Sequence, residues 1–507
     1  MAQRFYDIDL QETNFPMLHE QQGRTIIGST AGESPSKENR PHIAYCHNVM
    51  PSKHGMDSVG FLTVVPAFSG IPAGLEMSDE RIIYGDAATR MSLAWDGEGN
   101  VYALKKGATA WIALPATVPA TGGVGFDVDS VTVARVDGIS YIFYSGIGAF
   151  NYNEITDSLD AVTLAGLDIS TVLGLVASSG YLIAYTIQAI AWSSTILATD
   201  FVPSQVTGAG GGNIAGLAGN VLFITSNTLG IIAYTEANAV TGTYTGNARF
   251  PFKFRELPNS KGGITLDRVA YEANSSLQYV YSKAGLQAIT SQSAKNIIPE
   301  VTDFLAGKRF ETYNETTKLY EITDLSAGET MLKKIKYIAS RYLIVSYGLP
   351  NIGFSHALIF DTSLNKLGKI KLDHTDVFEY IGAQDEISKE SIAFLRKDGE
   401  VKVLDFSTVG ASSGVLILGK LQFTRNRFIT LQGVDIENVE SASTLEVLTQ
   451  VSLDGKNFTT VAGFLSSSAN NLRIYDFRSS GKNHSIVLIG KFNSVTAQVI
   501  YTVDGRR

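Results

Sequence analysis

The chain has little cysteine, little charge and little tryptophan. A single cysteine, Cys46, among 507 residues excludes an intrachain disulfide and favours a reducing compartment of assembly. Charged residues make up 18% of the sequence, with a formal net charge of −8, against about 25% in an average soluble protein. That balance gives no long-range basic field to draw in nucleic acid or an anionic membrane. The opening residues MAQRFYDIDLQETNF lack the basic-then-apolar layout of a secretory signal, so export by that route is not expected. Between Asp168 and Glu236 the one charged residue is Asp200, and 172–192 is uncharged throughout. A spanning helix needs about 20 apolar residues. This stretch is broken by Ser178-Ser179-Gly180 and carries Tyr185, Thr186 and Gln188, so it reads as consecutive buried strands with no membrane-spanning segment.

What is abundant points to strands. The chain holds 25 Phe, 22 Tyr and 48 Gly with 44% apolar content, and aromatic and β-branched side chains suit a pleated, half-buried surface. The recurring unit is an apolar run, a short turn of Gly, Asp, Asn or Ser, and a second apolar run. It appears as 131–136/139–144 around Asp137-Gly138, 173–177/181–186 around Ser178–Gly180, and 217–218/221–225 around Gly219-Asn220. It returns as 277–281/286–290 around Ser282–Gly285 and 392–396/400–406 around Lys397–Gly399. Asp-Gly and Gly-Asn pairs supply the positive φ angles of tight hairpins. The class is all-β. Some 330 residues of hairpins at about 45–55 per blade predict an irregular β-propeller of six or seven blades. The Trp-Asp dipeptide of a common blade repeat occurs once, at Trp95-Asp96, and a large irregular array of β-sandwiches is the structural alternative.

Three regions follow. Residues 1–60, with Pro16, Pro35, Pro41, Pro51 and four of the seven histidines, read as an extended N-terminal arm. Residues 61–410 are the propeller. After a 410–414 linker, residues 411–507 hold strands expected at 415–423, 428–436, 445–453, 472–477, 485–492 and 496–503, which suggest a C-terminal β-sandwich. Its ten Lys and Arg against seven Asp and Glu make it slightly basic.

No constellation for catalysis emerges. His42, Cys46, His47 and His54 fall within HIAYCHNVMPSKH, but their spacing matches no common zinc pattern; ordinary surface histidines and a buried cysteine are expected. The glycines at 208 and 210–212 lack the Lys-Ser or Lys-Thr of a phosphate loop, and read as a flexible connection or a projecting loop. Gly28-Ser29-Thr30-Ala31-Gly32 puts threonine where a nucleophile elbow needs serine. Asp79-Glu80 and Asp385-Glu386 read as solvated turns. Arg425-Asn426-Arg427-Phe428 and Arg506-Arg507 read as charged strand edges rather than a nucleic-acid surface. The expectation is therefore no enzyme, no catalytic, cofactor-binding or metal residue, and no cofactor.

Several segments nevertheless resemble one family. Ala191-Trp192-Ser193-Ser194 followed by Asp200-Phe201-Val202-Pro203-Ser204 is similar to the strand, Ser-rich turn and Asp-Phe-x-Pro segment of the β-propeller tail proteins of short-tailed bacteriophages, the nozzle, tail tubular and stabilisation proteins. The runs 219–225, 229–235, 298–304, 357–361 through 367–369, and the strands from Gly414 carry the same likeness. The resemblance implies a structural virion protein: one subunit of a cyclic homo-oligomer, commonly six-fold, in the tail below the portal and adaptor. That ring encloses part of the channel for DNA ejection and is assembled in the host bacterial cytoplasm. Implied partners are copies of itself, portal, adaptor and other tail proteins, and DNA in non-specific transit. The alternative is a receptor- or glycan-binding propeller, for which Tyr141, Phe143, Tyr144, Phe150 and Tyr152 are the candidate aromatic set, with core packing the competing role.

Overall fold

A computed structural model describes residues 4–8, 25–26, 43–52, 55–68, 74–77, 82–83, 90–115, 131–153, 155–264, 269–271, 277–298, 309–325, 331–350, 352–380, 391–405, 414–422, 428–437, 445–453, 458–462, 464–469, 472–492 and 496–503. Among these the chain is all-β: no α-helix occurs, and Ile169–Thr171 forms one 3₁₀ turn.

The hairpin signals act locally, as turn chemistry requires. Val131–Val136 pairs with Ile139–Tyr144 in a register that sets Val136 opposite Ile139. The two loop residues, Asp137 and Gly138, have φ of 51° and 83°. Two consecutive positive φ values make the loop whose twist matches that of the strands. Gly148–Asn153 and Ser158–Val162 complete this four-stranded antiparallel sheet, here called sheet 2. Sheet 3 repeats the order with Gly174–Ser178, Tyr181–Tyr185, Ala189–Trp192 and Gly210–Asn213. Sheet 4 is Phe223–Asn227, Gly230–Tyr234, Ala239–Tyr244 and Phe252–Glu256. Sheet 5 is Val269–Tyr271, Gln278–Ser282, Gly285–Ile289 and Ala294–Asn296. Sheet 1, before them, is built on Arg90–Trp95, Val101–Lys105 and Ile112–Leu114, with Glu76–Met77 and Ile82–Ile83 on its other edge.

Sheets 6 and 7 draw on both halves of the sequence. Leu332–Ile338, Tyr342–Leu349, Gly353–Asp361 and Lys366–His374 form sheet 6, to whose last strand Val49–Ser52 and then Gly55–Ser58 are added. Asp376–Tyr380, Ser391–Leu395 and Val401–Asp405 form sheet 7, completed by Gly60–Val65.

Each pair of successive sheets shares a core. Trp95 and Leu93 of sheet 1 meet Ile142, Tyr144 and Phe150 of sheet 2, while Tyr141 and Phe143 on the opposite face of sheet 2 meet Leu175 and Leu182 of sheet 3. The series continues through sheets 3 and 4, 4 and 5, 5 and 6, and 6 and 7. It returns to its start where Phe378, Leu395 and Val403 of sheet 7 pack on Tyr102, Leu104 and Trp111 of sheet 1. At that return Trp111 Nε1 donates to Gly399 O at 2.8 Å and Leu75 N to Lys397 O at 3.1 Å. A sheet covered on both faces needs apolar residues at every position of its central strands. Tyr181–Tyr185 and Gly230–Tyr234 are accordingly buried at all five residues each, which explains the uncharged stretch after Asp168. No helix is long and apolar enough to cross a membrane among the described residues.

The carboxy-terminal region forms two further sheets. One runs Arg4–Ile8, Thr496–Val503, Ile429–Glu437, Leu472–Gly481, Phe464–Ala469; the other runs Thr25–Ile26, Gly414–Gln422, Asn483–Gly490, Glu446–Ser452, Thr459–Ala462, with Ile43–His47 also paired to Gly414–Gln422. They share one core, including Cys46, Leu416, Ile429, Val434, Ile486 and Val499. All six strands expected here are present, joined by Thr459–Ala462 and Phe464–Ala469, which sequence reading did not anticipate.

Two expectations are corrected. The first 60 residues were expected to be an extended arm, yet their described parts are strands built into three sheets. Ile43, Tyr45, Cys46, Val49, Met50, Met56 and Val59 are all buried, each side chain of that size contributing about 1.5–3 kcal/mol when fully withdrawn from water. A hairpin was also expected at Gly219-Asn220. That segment is instead a bend in the connection between sheets 3 and 4, with Val221 N donating to Ile187 O at 2.8 Å. The true hairpin pairs Phe223–Asn227 with Gly230–Tyr234.

Candidate functional site

The densest group of buried ionisable side chains among the described residues lies where the hairpin Arg309–Asn314/Leu319–Asp324, sheet 6 and the strand Ile43–His47 meet. Lys369 and Glu311, 1% and 2% exposed, form an ion pair there. The Lys369 ammonium also sits 4.6 Å from the Tyr45 ring centroid, while Tyr45 stacks between Tyr313 and Tyr320 at 5.5 and 5.6 Å. Glu311 holds the Lys369 pKa above its ordinary value despite the opposing effect of burial. The second Glu311 oxygen, Oε1, and the Tyr313 hydroxyl have no hydrogen-bond partner among the described residues. Burial raises the Tyr45 phenol well above its usual range.

Histidines extend the group. His47 lies 5.2 Å from Tyr313, edge to face, and its Nδ1 is 3.1 Å from the Tyr45 hydroxyl. Burial, helped by Lys371 and Lys369, lowers its pKa to about 3. His356 stacks on Tyr347 at 5.3 Å, and burial beside Lys369 holds it well below its normal value. On the far side of sheet 6, His374 Nδ1 donates to Leu372 O at 2.7 Å, so Nε2 is left to accept from Ser346 Oγ at 2.8 Å. Its pKa falls to about 4, through burial first. Asp376 pairs with Lys334 at 3.0 Å and Lys336 at 3.6 Å, all three being largely buried.

This chemistry fastens sheets together. Burial lifts the Cys46 thiol to about 12, so it is not a thiolate nucleophile near neutral pH. Strand alternation also separates the residues once grouped as metal candidates. Cys46 faces the carboxy-terminal core with Leu416 and Ile486, whereas Tyr45 and His47 face Tyr313. His47 is buried, not a surface residue; His42 and His54 lie outside the described residues, as do Gly28–Gly32, Asp79-Glu80, Asp385-Glu386, Arg425–Arg427 and Arg506-Arg507.

The glycine-rich stretch is a strand, not a flexible loop. Gly210–Asn213 is the outer strand of sheet 3. A Cβ at Gly210 would lie 2.9 Å from the Trp192 ring, and Trp192 Nε1 donates to Gly208 O at 2.9 Å. Glycine is required at 210 because the indole packs directly against this backbone.

The segments behind the family resemblance are structural joints. Ser193 and Ser194 are buried, and Ser194 N donates to Asp200 O at 2.7 Å. Asp200 Oδ1 accepts from Val202 N at 3.0 Å and Phe201 N donates to Ala165 O at 2.8 Å. The Phe201 ring thereby enters the core between sheets 2 and 3. Trp95-Asp96 plays a similar part: Trp95 Nε1 donates to the Tyr144 hydroxyl at 2.9 Å, and Asp96 accepts from Glu98 N and Asn100 N to close its turn. Of the candidate aromatic set, Tyr141, Phe143, Tyr144 and Phe150 are buried in two cores, and half-buried Tyr152 hydrogen-bonds to Asp157.

No family model and no curated protein matches the chain. Among solved structures, it is similar to the extracellular domain of a hybrid two-component system from B. thetaiotaomicron, at 10% identity and TM-score 0.43 over 87% of this chain. The chain spans 60% of the length of that domain. It is also similar to the WD40 β-propeller domain of Doa1, at 12% identity and TM-score 0.39 over 70% of this chain and all of that one. A third likeness is to YCF48 from Cyanidioschyzon merolae, at 11% identity and TM-score 0.38 over 68% and 98%. At TM-scores under 0.5 these likenesses fix neither the fold nor the function.

Proposed function

We propose that the seven sheets are blades of a β-propeller, that the two carboxy-terminal sheets are a β-sandwich docked on it, and that the whole is a structural subunit of a short phage tail. In this reading copies of the chain form a ring below the portal and adaptor and line part of the channel for DNA ejection. The cyclic succession of shared cores, with sheets 6 and 7 completed by Val49–Val65, supports the propeller. A ring of packed sheets hides all but its short outer edges.

The observation that carries the function is the build of 191–204. The first segment on which the resemblance to phage tail proteins rests is a wedge between two sheets, held by Ser194, Asp200 and Phe201, as suits a wall element rather than a ligand-presenting loop. The low charge also suits a conduit, since every neutralised phosphate adds attraction that would hold DNA back. Negative-stain electron microscopy of the purified chain, alone and with candidate portal or adaptor proteins, tests this. Closed rings with a central opening are expected; persistent monomers in every mixture would refute it.

A further inference from the structure

The charges of sheets 2 to 4 are segregated along the sequence. From Asp137 to Asp168 there are five acidic residues and no Lys or Arg; from Asp168 to Glu236 the only charge between is Asp200; from Thr245 to Lys261 there are Arg249, Lys253, Arg255 and Lys261 against Glu256 alone. The structure sets Asp137 and Asp160 in the hairpins of sheet 2, where Asp157 is paired with Lys105 of sheet 1 at 2.8 Å, and Lys253 and Arg255 on sheet 4, with sheet 3 between.

At the basic end, Arg249, Lys253 and Arg255 are exposed, and none has an acidic partner among the described residues. The Arg249 guanidinium lies 5.5 Å over the Phe250 ring, which is itself 62% exposed. This loop touches the long loop of sheet 3: a Cβ on Gly208 would meet Ala248 Cβ at 3.4 Å. Val206, two residues before that contact, is 90% exposed. Apolar groups thus stand in water beside unpaired cations.

At the acidic end, Ile155 projects from the turn between the last two strands of sheet 2 and is 96% exposed. Beside it, exposed Asp160 accepts from Asn153 Nδ2 at 2.7 Å and Ser158 Oγ at 3.0 Å, which fix its direction, and it has no cationic partner among the described residues. Asp137, at the tip of the first hairpin of the same sheet, is exposed too.

We propose that these are the two halves of one contact between copies of this chain: the Ile155–Asp160 turn of one copy docks on the Val206–Phe250 surface of the next, with Asp160 and Asp137 facing Arg249, Lys253 and Arg255. Each half is an apolar centre with charge at its rim, the signs are opposite, and the occupant is a second copy because the chain itself carries both. Two different surfaces meet, so the contact is head-to-tail, and repetition yields a closed ring or an open filament. The inference deepens the ring reading by naming its interface.

The test uses the full chain in sedimentation velocity, with circular dichroism as the check on folding. Wild type is expected to assemble, and less strongly as salt rises, because rim charges are screened. Lys253→Glu with Arg255→Glu should weaken assembly at least tenfold, as should Asp137→Lys with Asp160→Lys. Combining all four should restore it. As a second route, Ile155→Cys with Phe250→Cys should give a ladder of oxidised multimers on a non-reducing gel, the native Cys46 being buried. If wild type assembles but charge reversal has no effect and no ladder forms, this interface is wrong while the ring reading stands. A chain that is monomeric alone and with portal or adaptor overturns both.

Discussion

Lowering the pH from about 7 to about 5 should strip this protein of several kcal/mol of stability, through its histidines. The four described histidines, His47, His356, His374 and His484, are all buried. Burial lowers the pKa to about 3 for His47 and about 4 for His374 and His484, while unfolded imidazole titrates near 6.5. A base whose folded value is depressed leaves stability intact above pH ~6.5, and that stability is lost as the pH falls toward the folded values. At pH ~5 each unfolded imidazole gains about 2 kcal/mol by taking a proton that its folded counterpart still refuses, about 6 kcal/mol for the three. His356 acts in the same direction. That sum rivals the whole of an ordinary folding free energy, about 5–15 kcal/mol. The described carboxylates with displaced values do not add to the loss in this window: Asp157, Glu236, Asp361 and Glu400 have pKa values lowered from already acidic ones by Lys105, Lys283, Arg341 and Arg396 respectively, and stay ionised to lower pH. Urea unfolding followed by tryptophan fluorescence at several pH values measures the effect. A midpoint unchanged between pH ~7 and ~5 would sink the reasoning, and His374→Gln should remove about a third of the three-histidine loss.

Two substitutions probe other parts of the argument. Lys369→Met leaves the Glu311 carboxylate buried beside Tyr313 without its cation, and should cost about 3–5 kcal/mol in chemical unfolding. Adding Glu311→Leu should recover that loss in full or exceed it; no recovery would mean the charges are not what matters there. Gly230→Ala meets both a φ of 149° and a Cβ position 2.0 Å from Gly242 O, so a loss of at least about 2 kcal/mol is expected, and an unchanged thermal midpoint would contradict the strand geometry.

Where a signal is local, the sequence was readable. Asp137-Gly138 and Ser179-Gly180 both turn with two positive φ angles, and each announces its hairpin. Gly219-Asn220 misleads because it carries turn-forming residues at a bend in the connection between sheets 3 and 4. The true turn at Thr228-Leu229 is closed instead by Asn227, whose Oδ1 accepts from Leu229 N at 2.9 Å. The glycines at 210 and 211 look like freedom in the sequence, yet what they accommodate is Trp192 and the Ile190 backbone, on a neighbouring strand whose register no local pattern announces. Least legible is the buried ionic group. Lys369 and Lys371, two apart on a strand, look like a solvated face, yet Lys369 is 1% exposed and Lys371 38%. What buries one is the hairpin bearing Glu311, 58 residues before it, and the strand bearing Tyr45, over 300 residues before it, and no short-range pattern encodes that meeting.

The same long-range pairing explains why the ionic group sits where it does. Residues 43–65 run from the carboxy-terminal sheets, where Ile43–His47 pairs with Gly414–Gln422, through sheet 6, where Val49 faces Lys369, to sheet 7, where Gly60–Val65 pairs with Val401–Asp405. One short segment therefore ties three sheets that the chain assembles far apart in sequence, and Ser58 adds hydrogen bonds to Phe492 O and N at 3.1 and 2.8 Å. Apolar packing on both faces of a strand separates one register from the next less sharply than a one-sided pattern does, because a one-residue shift still sets apolar side chains on each face. A buried Lys–Glu pair separates them sharply: displacing Lys369 by one residue turns its side chain to the opposite face of its sheet and leaves Glu311 with no cation, while displacing Tyr45 takes its ring off the Lys369 ammonium. The pair thus gives less net stability than apolar residues of the same volume could supply, and in return it penalises every misaligned closure of the segment. On this argument the apolar double variant at Lys369 and Glu311 recovers stability but closes less faithfully, which separates the role of the pair in alignment from any contribution to the folding free energy.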